Sequence, residues 1–169
     1  MKYLIVVDMQ NDFIDAALGT AEAVAIVPAV KKKIEGFDGK IIFTQDTHFE
    51  EYMNTQEGKF LPVPHCIKDT DGWKIRQELL DAAACKDTEI VEKFTFGSDK
   101  LPSMVKDPES IEILGLCTDI CVVSNALILK AFYPEVPISL DPACCAGVTP
   151  DKHNAAIEVM RSCQISING

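Results

Sequence analysis

Basic residues are in short supply: 16 lysines and arginines stand against 26 aspartates and glutamates, for a formal net charge of -10 at pH 7. Nucleic-acid binding draws on clustered Lys and Arg that displace counterions from phosphates, so this balance argues against it and points to a small or neutral partner. Long apolar runs are missing as well. No stretch approaches the roughly 18 residues that a membrane span needs, and the opening run Leu4 to Val7 is cut by Asp8, which leaves no secretory core. The expected location is the cytoplasm, with no membrane partner. Histidine is rare too, with three in the chain, so where they fall carries information.

Cysteine is plentiful, with seven residues, but the odd number and the lack of a secretion signal speak against a disulfide scaffold. Most are expected as free thiols packed as small apolar side chains. The pairs Cys117/Cys121 and Cys144-Cys145 lack the Cys-x-x-Cys spacing of redox centres. The 169 residues, 47% hydrophobic and 25% charged, suit one globular domain spanning 1–169.

Short β-branched runs alternate with longer amphipathic segments, the pattern of an α/β protein with a parallel sheet. Six strands are predicted at Lys2 to Val7, Lys40 to Thr44, Thr88 to Glu92, Ser110 to Leu116, Val136 to Leu140 and Gln164 to Ile167. Helices are predicted at Val24 to Ile34, closed by Gly36, and at Trp73 to Ala84, Asp119 to Phe132 and Pro150 to Cys163. The expected fold is a three-layer Rossmann-like sandwich with strand order 3-2-1-4-5-6. Between Asp46 and Gly72 no clear periodicity appears, and a loop that long inside a compact domain is usually functional.

Ligands of open α/β sheets bind beyond the carboxyl ends of the strands. Asp8 ends the first strand, Asp46 and His48 follow the second, Lys93 closes the third, and Cys121 opens the helix after the fourth. Alone, Asp8 would cap a turn, Lys93 would be a solvated charge and Cys121 would be helix packing. Together on one rim they supply a base, a cation and a nucleophile, with Lys93 reaching across two strand spacings of roughly 10 Å. A helix N-terminus, a cation and a base can each favour a thiolate at Cys121, and the unpaired amides there can hold an oxyanion.

A second cluster is Asp46-Thr47-His48 with His65, on either side of a segment containing Glu57. Asp-x-His puts two ligands on one side of an extended chain, and carboxylate with imidazole suits one divalent ion, zinc first, with iron or manganese as alternatives. The bland reading is a pair of surface histidines. The third histidine, His153, is expected to be exposed and receives no role; Cys66 is expected to pack.

The runs Val6-Val7-Asp8-Met9-Gln10-Asn11-Asp12-Phe13, Asp46-x-His48, Lys93 and Gly115-x-x-Thr118-Asp119-x-Cys121-Val122 resemble those of the nicotinamidase/isochorismatase-like cysteine hydrolases over nearly the whole chain. That resemblance implies an isochorismatase-like fold and an amidohydrolase in which Asp8 takes the thiol proton, Lys93 supports the anion and Cys121 attacks an amide carbon. It also implies oxyanion donors at the backbone N–H groups of Cys117 and Cys121, with a cis peptide at Leu116-Cys117. The metal ligands resemble the nicotinamidase branch, whose substrate is nicotinamide and whose role is NAD salvage. By the same likeness Glu57 becomes a fourth ligand, and Phe13 and Phe60 flank a flat ring. Related amidases acting on carbamoyl or ureido groups share the Asp-Lys-Cys set, and a noncatalytic module binding a metal or a partner is the reading from another class. Assembly into a homo-oligomer is compatible with all three.

Overall fold

Each predicted strand lies in one sheet, because a run such as Tyr3 to Val7, buried along its whole length, needs cover on both faces. The computed structural model describes residues 1–169, with strands β1 (Lys2–Val7), β2 (Lys40–Asp46), β3 (Thr88–Lys93), β4 (Ser110–Leu116), β5 (Ile138–Ala146) and β6 (Ser166–Ile167). Their order is β3-β2-β1-β4-β5-β6 and every neighbouring pair is parallel. The helices are α1 (Asn11–Ile14), α2 (Ala21–Gly36), α3 (Gln56–Phe60), α4 (Gln77–Ala83), α5 (Leu101–Met104), α6 (Val123–Phe132) and α7 (Pro150–Ser162). Parallel neighbours require right-handed crossovers. Winding outward from β1 and β4 in opposite directions therefore puts α2 and α4 on one face and α6 and α7 on the other. No helix is long and apolar enough to cross a membrane.

Several boundaries differ from expectation, and each difference has a local cause. Strands β2 and β3 run on to Asp46 and Lys93, which pair in register, so both charged residues are strand ends and not loop residues. Helix α2 starts earlier than Val24, where the Thr20 side chain accepts the Ala23 N–H at 3.0 Å and caps it. Helix α4 starts only at Gln77, since the segment before it is held extended: Gln10 and Ile75 form an antiparallel bridge, and Arg76 N–H donates to Met9 O. The interval from Asp46 to Gly72 is not structureless. It holds a 3₁₀ turn at Glu50–Asn54 and then α3, capped by Thr55.

The fourth strand approaches the first closely where strand order reverses. Gly115 has φ 122°, and a Cβ there would lie 2.1 Å from Val7 O, so only glycine lets the β4 backbone pass. Directly after it, the Leu116-Cys117 peptide is cis, as the resemblance implied. The chain then enters a π-helical turn, Thr118–Val122, that leads into α6.

Candidate active site and metal centre

Asp8, Lys93 and Cys121 converge as expected. Asp8 leaves β1 with φ 47°, a left-handed conformation that turns its carboxylate back under the rim. Its Oδ1 accepts from Thr44 Oγ1 at 2.6 Å, and its Oδ2 lies 2.7 Å from Lys93 Nζ. Lys93 reaches across β2 and places Nζ 2.9 Å from Asp46 Oδ1 and 3.4 Å from Cys121 Sγ. All three groups are closed off from solvent, Cys121 being 5% exposed.

The electrostatics correct one expectation. Burial first, and then the Asp8 carboxylate, hold the Cys121 thiol well above its usual range, and Lys93 only partly offsets them. Burial also raises Asp8 in spite of Lys93, while Asp8, Cys121 and Asp46 together keep Lys93 charged against its own desolvation. Burial and the Asp8 carboxylate thus oppose what the helix terminus and the cation favour at this thiol. A buried pocket holding one cation beside two carboxylates resists a further negative charge, so the arrangement can pass one proton between Cys121 and Asp8 and does not favour both being ionised.

The metal cluster assembles too. Side-chain donor atoms of Asp46, His48 and His65 all lie within 4.8 Å of one another. His48 Nε2 is 2.9 Å from Asp46 Oδ2, yet it is one of the few buried polar atoms without a directed hydrogen bond. His65 Nε2 is 3.9 Å from the same oxygen. Glu57 stands outside the tight trio, but its Oε1 is 3.6 Å from each imidazole Nε2. Donors around a tetrahedral ion with bonds of about 2.0–2.1 Å lie roughly 3.4 Å apart, so these separations fit a divalent ion. His65 Nδ1 meets Val63 O at 2.8 Å, which puts the proton on Nδ1 and leaves the Nε2 lone pair for a metal.

Aromatic rings close around the imidazoles. Phe13 meets His65 edge-on with centroids 5.4 Å apart. Tyr52, which gave no signal in the sequence, packs at 4.8 Å from His48 and 5.0 Å from His65. Phe60 does not join them: it is the last residue of α3, where the chain leaves the helix, and it is 83% exposed.

Other supporting residues also escaped the sequence reading. Gln10 holds Asp46 at both backbone groups, donating to its carbonyl and accepting its N–H, each at 2.8 Å. Asn125 is fully buried, accepts from Ser98 N–H at 2.8 Å and donates to Cys121 O at 2.8 Å, so it ties the segment after Lys93 to the thiol turn. His153 is half-buried and not exposed; its Nδ1 is 2.7 Å from Thr118 Oγ1, and burial lowers its pKa. Cys66 packs at full burial, as expected.

The isochorismatase domain model matches residues 2–167. This chain belongs to that family. Among curated proteins it is 26% identical to a nicotinamidase of Schizosaccharomyces pombe, over 97% of this chain and 91% of the relative. It is 25% identical to a nicotinamidase/pyrazinamidase of Mycobacterium tuberculosis, over 99% and 98% of the two chains. The zinc complex of a pyrazinamidase from Pyrococcus horikoshii superposes with a TM-score of 0.86 at 27% identity, covering 99% of this chain and 98% of that one. An N-carbamoylsarcosine amidase from Thermoplasma acidophilum shares the fold, with a TM-score of 0.79 at 22% identity. As an isochorismatase-family chain, the protein carries its polar cluster at the switch point where the parallel sheet reverses order.

Proposed function

We propose that this isochorismatase-family protein is a single-domain cytoplasmic cysteine amidohydrolase that converts nicotinamide to nicotinate and ammonia, a step of NAD salvage. The observation that carries the reading is Lys93, whose Nζ touches the Asp8 carboxylate, the Cys121 thiol and the Asp46 carboxylate of the metal cluster at once. Asp8 Oδ2, buried and without a directed hydrogen bond, accepts the thiol proton as Sγ bonds to the amide carbon. The carbonyl oxygen takes the displaced electron pair and is held by the backbone N–H groups of Cys117 and Cys121. Asp8 returns its proton to the departing nitrogen, the C–N bond breaks and ammonia leaves. Water then gives a proton to Asp8 and attacks the thioester, releasing the acid and restoring the thiol.

Asp46, His48, His65 and Glu57 would hold one divalent ion, zinc by preference, which would supply a Lewis acid for the ring nitrogen of the substrate. Phe13 lies against the liganding His65, where it can flank a flat ring. Anchoring the ring while the thiol waits at the carboxamide turns binding into orientation.

The test is direct. Metal-loaded protein incubated with nicotinamide should release ammonia and nicotinate in equal amounts, and chelation should remove that turnover while Cys121 still reacts with iodoacetamide. Loaded protein that leaves nicotinamide intact but releases ammonia from a carbamoyl or ureido compound would replace the substrate assignment and keep the reaction class.

A further inference from the structure

We propose that His153 is a positioning residue of the oxyanion site, holding through Thr118 the turn that carries the Cys117 and Cys121 amides. This rests on the reading that those two amides receive the carbonyl oxygen. Thr118 lies between them and is fully buried, and the contact its hydroxyl makes is with His153 Nδ1 at 2.7 Å.

The corner that delivers His153 is pressed onto this turn. Helix α7 is capped by Thr149, whose carbonyl accepts the His153 N–H at 2.9 Å, so the ring projects from the helix's opening turn. Beside it, Val148 N–H donates to Asp119 Oδ1 at 2.9 Å. A Cβ on Gly147 would lie 2.8 Å from both Asp119 Oδ1 and His153 N, which leaves no slack between the corner and the turn. The corner before α7 and the helix's first turn thus grip consecutive residues, Asp119 and Thr118, of the segment between the two amides.

Removing the imidazole leaves a buried hydroxyl without its partner, and Thr118 can then rotate to find another. Rotation about its backbone swings the Cys117 and Cys121 N–H groups relative to each other. An oxyanion hole works only while its donors point at one spot, and displacements of about 1 Å can cost up to roughly 10²-fold in rate. The base and the metal ligands are not in this chain of contacts, and Cys121 enters it through its backbone N–H and not through its thiol. The expected defect therefore falls on kcat.

Asparagine and glutamine separate this role from general packing. Asparagine places a polar atom where Nδ1 stands, whereas the longer glutamine places one near Nε2. His153→Ala and His153→Gln should lose about 10- to 100-fold in kcat on nicotinamide, with KM within about 2-fold of wild type, and His153→Asn should recover most of the loss. Iodoacetamide should alkylate Cys121 equally fast in all of them, since alkylation forms no oxyanion. Thr118→Val should match His153→Ala, and combining the two should add little.

A substrate-independent arm uses propionaldehyde. The Cys121 sulfur adds to its carbonyl, the oxygen gains the electron pair and the thiol proton, and the reversible adduct blocks alkylation. Protection should require about 10-fold more aldehyde in His153→Ala than in wild type. Should the wild type prove inactive on nicotinamide, the substrate assignment fails alone, and this arm still decides the role of His153. Equal protection, equal kcat in the alanine variant, an asparagine variant as poor as alanine, or slowed alkylation across the set would each overturn the proposal.

Discussion

Replacing Asp8 by asparagine separates two effects of that carboxylate that point in opposite directions. The change keeps the shape, and an amide oxygen turned toward Lys93 can still face Nζ, which lies 2.7 Å from Oδ2 in the native protein. Thr44 then has to accept where it now donates to Oδ1 at 2.6 Å, a reversal open to a hydroxyl. Lys93 stays paired with Asp46 at 2.9 Å, so the fold should survive with a loss of about 1.5–3 kcal/mol, the worth of a charge-assisted hydrogen bond. Turnover should fall by about 10²- to 10⁴-fold, because neither the thiol proton nor the proton for the leaving nitrogen has a carrier. The thiol itself should become easier to ionise. Burial remains, but the carboxylate that opposes a thiolate is gone and Lys93 is not, so the midpoint of Cys121 alkylation against pH should move down. Peptide-resolved iodoacetamide labelling from pH 5 to 10, run beside an ammonia assay, measures both. A midpoint that stays or rises, or turnover within about 10-fold of wild type, would refute the shared-proton reasoning.

Two further outcomes test the same site. Cys121→Ala should abolish turnover while the protein still binds one equivalent of metal, measured by elemental analysis, because the thiol lies outside the cluster of Asp46, His48 and His65. Lys93→Met should cost about 3–5 kcal/mol in urea unfolding, since it strands two buried carboxylates. Burial already holds Asp8 above the ordinary carboxylate range, and losing the cation raises it further, so that variant's deficit should grow as pH rises through this range and shrink in acid; a deficit that widens in acid would contradict the assignment.

The legible parts of the chain were those whose physics is local or periodic. Apolar runs marked the strands, and once the sheet is parallel the carboxyl ends collect Asp8, Asp46, Lys93 and Cys121 on one rim. Features fixed by contacts distant in sequence could not be read. The fifth strand looked finished at Leu140 because Asp141-Pro142 signals a turn, yet β5 continues to Ala146. Pairing with β4 skips from Leu140 to Cys145 while β4 advances only from Ile113 to Gly115, so Pro142 lies in a bulge where its missing N–H costs no ladder bond. His153 looked exposed because it sits early in the last helix, among Asp151, Lys152 and Asn154; Thr118, 35 residues away, supplies the partner that turns its ring inward. Glu57 and Phe60 lie three apart on a single turn of helix, and only the folded loop decides that one turns toward the imidazoles and the other away.

The two halves of the site are joined by a single carboxylate. Asp46 directs Oδ1 to Lys93 and Oδ2 toward His48 and His65, so each oxygen serves a different function. Its strand pairs in register with that of Lys93, and Gln10, two residues beyond Asp8, clamps its backbone from the other side. The spacing of Asp8, Asp46 and Lys93 is thus set by three adjacent strands and not by the loop that carries His48, Glu57 and His65, while the fourth strand places Cys121. For the proposed ion, His48, His65 and Glu57 would adjust how tightly it is held, while β1, β2 and β3 fix where Asp46 points. Preorganisation of this kind favours the rate, because the charges that must respond when Sγ attacks are already in place and buried.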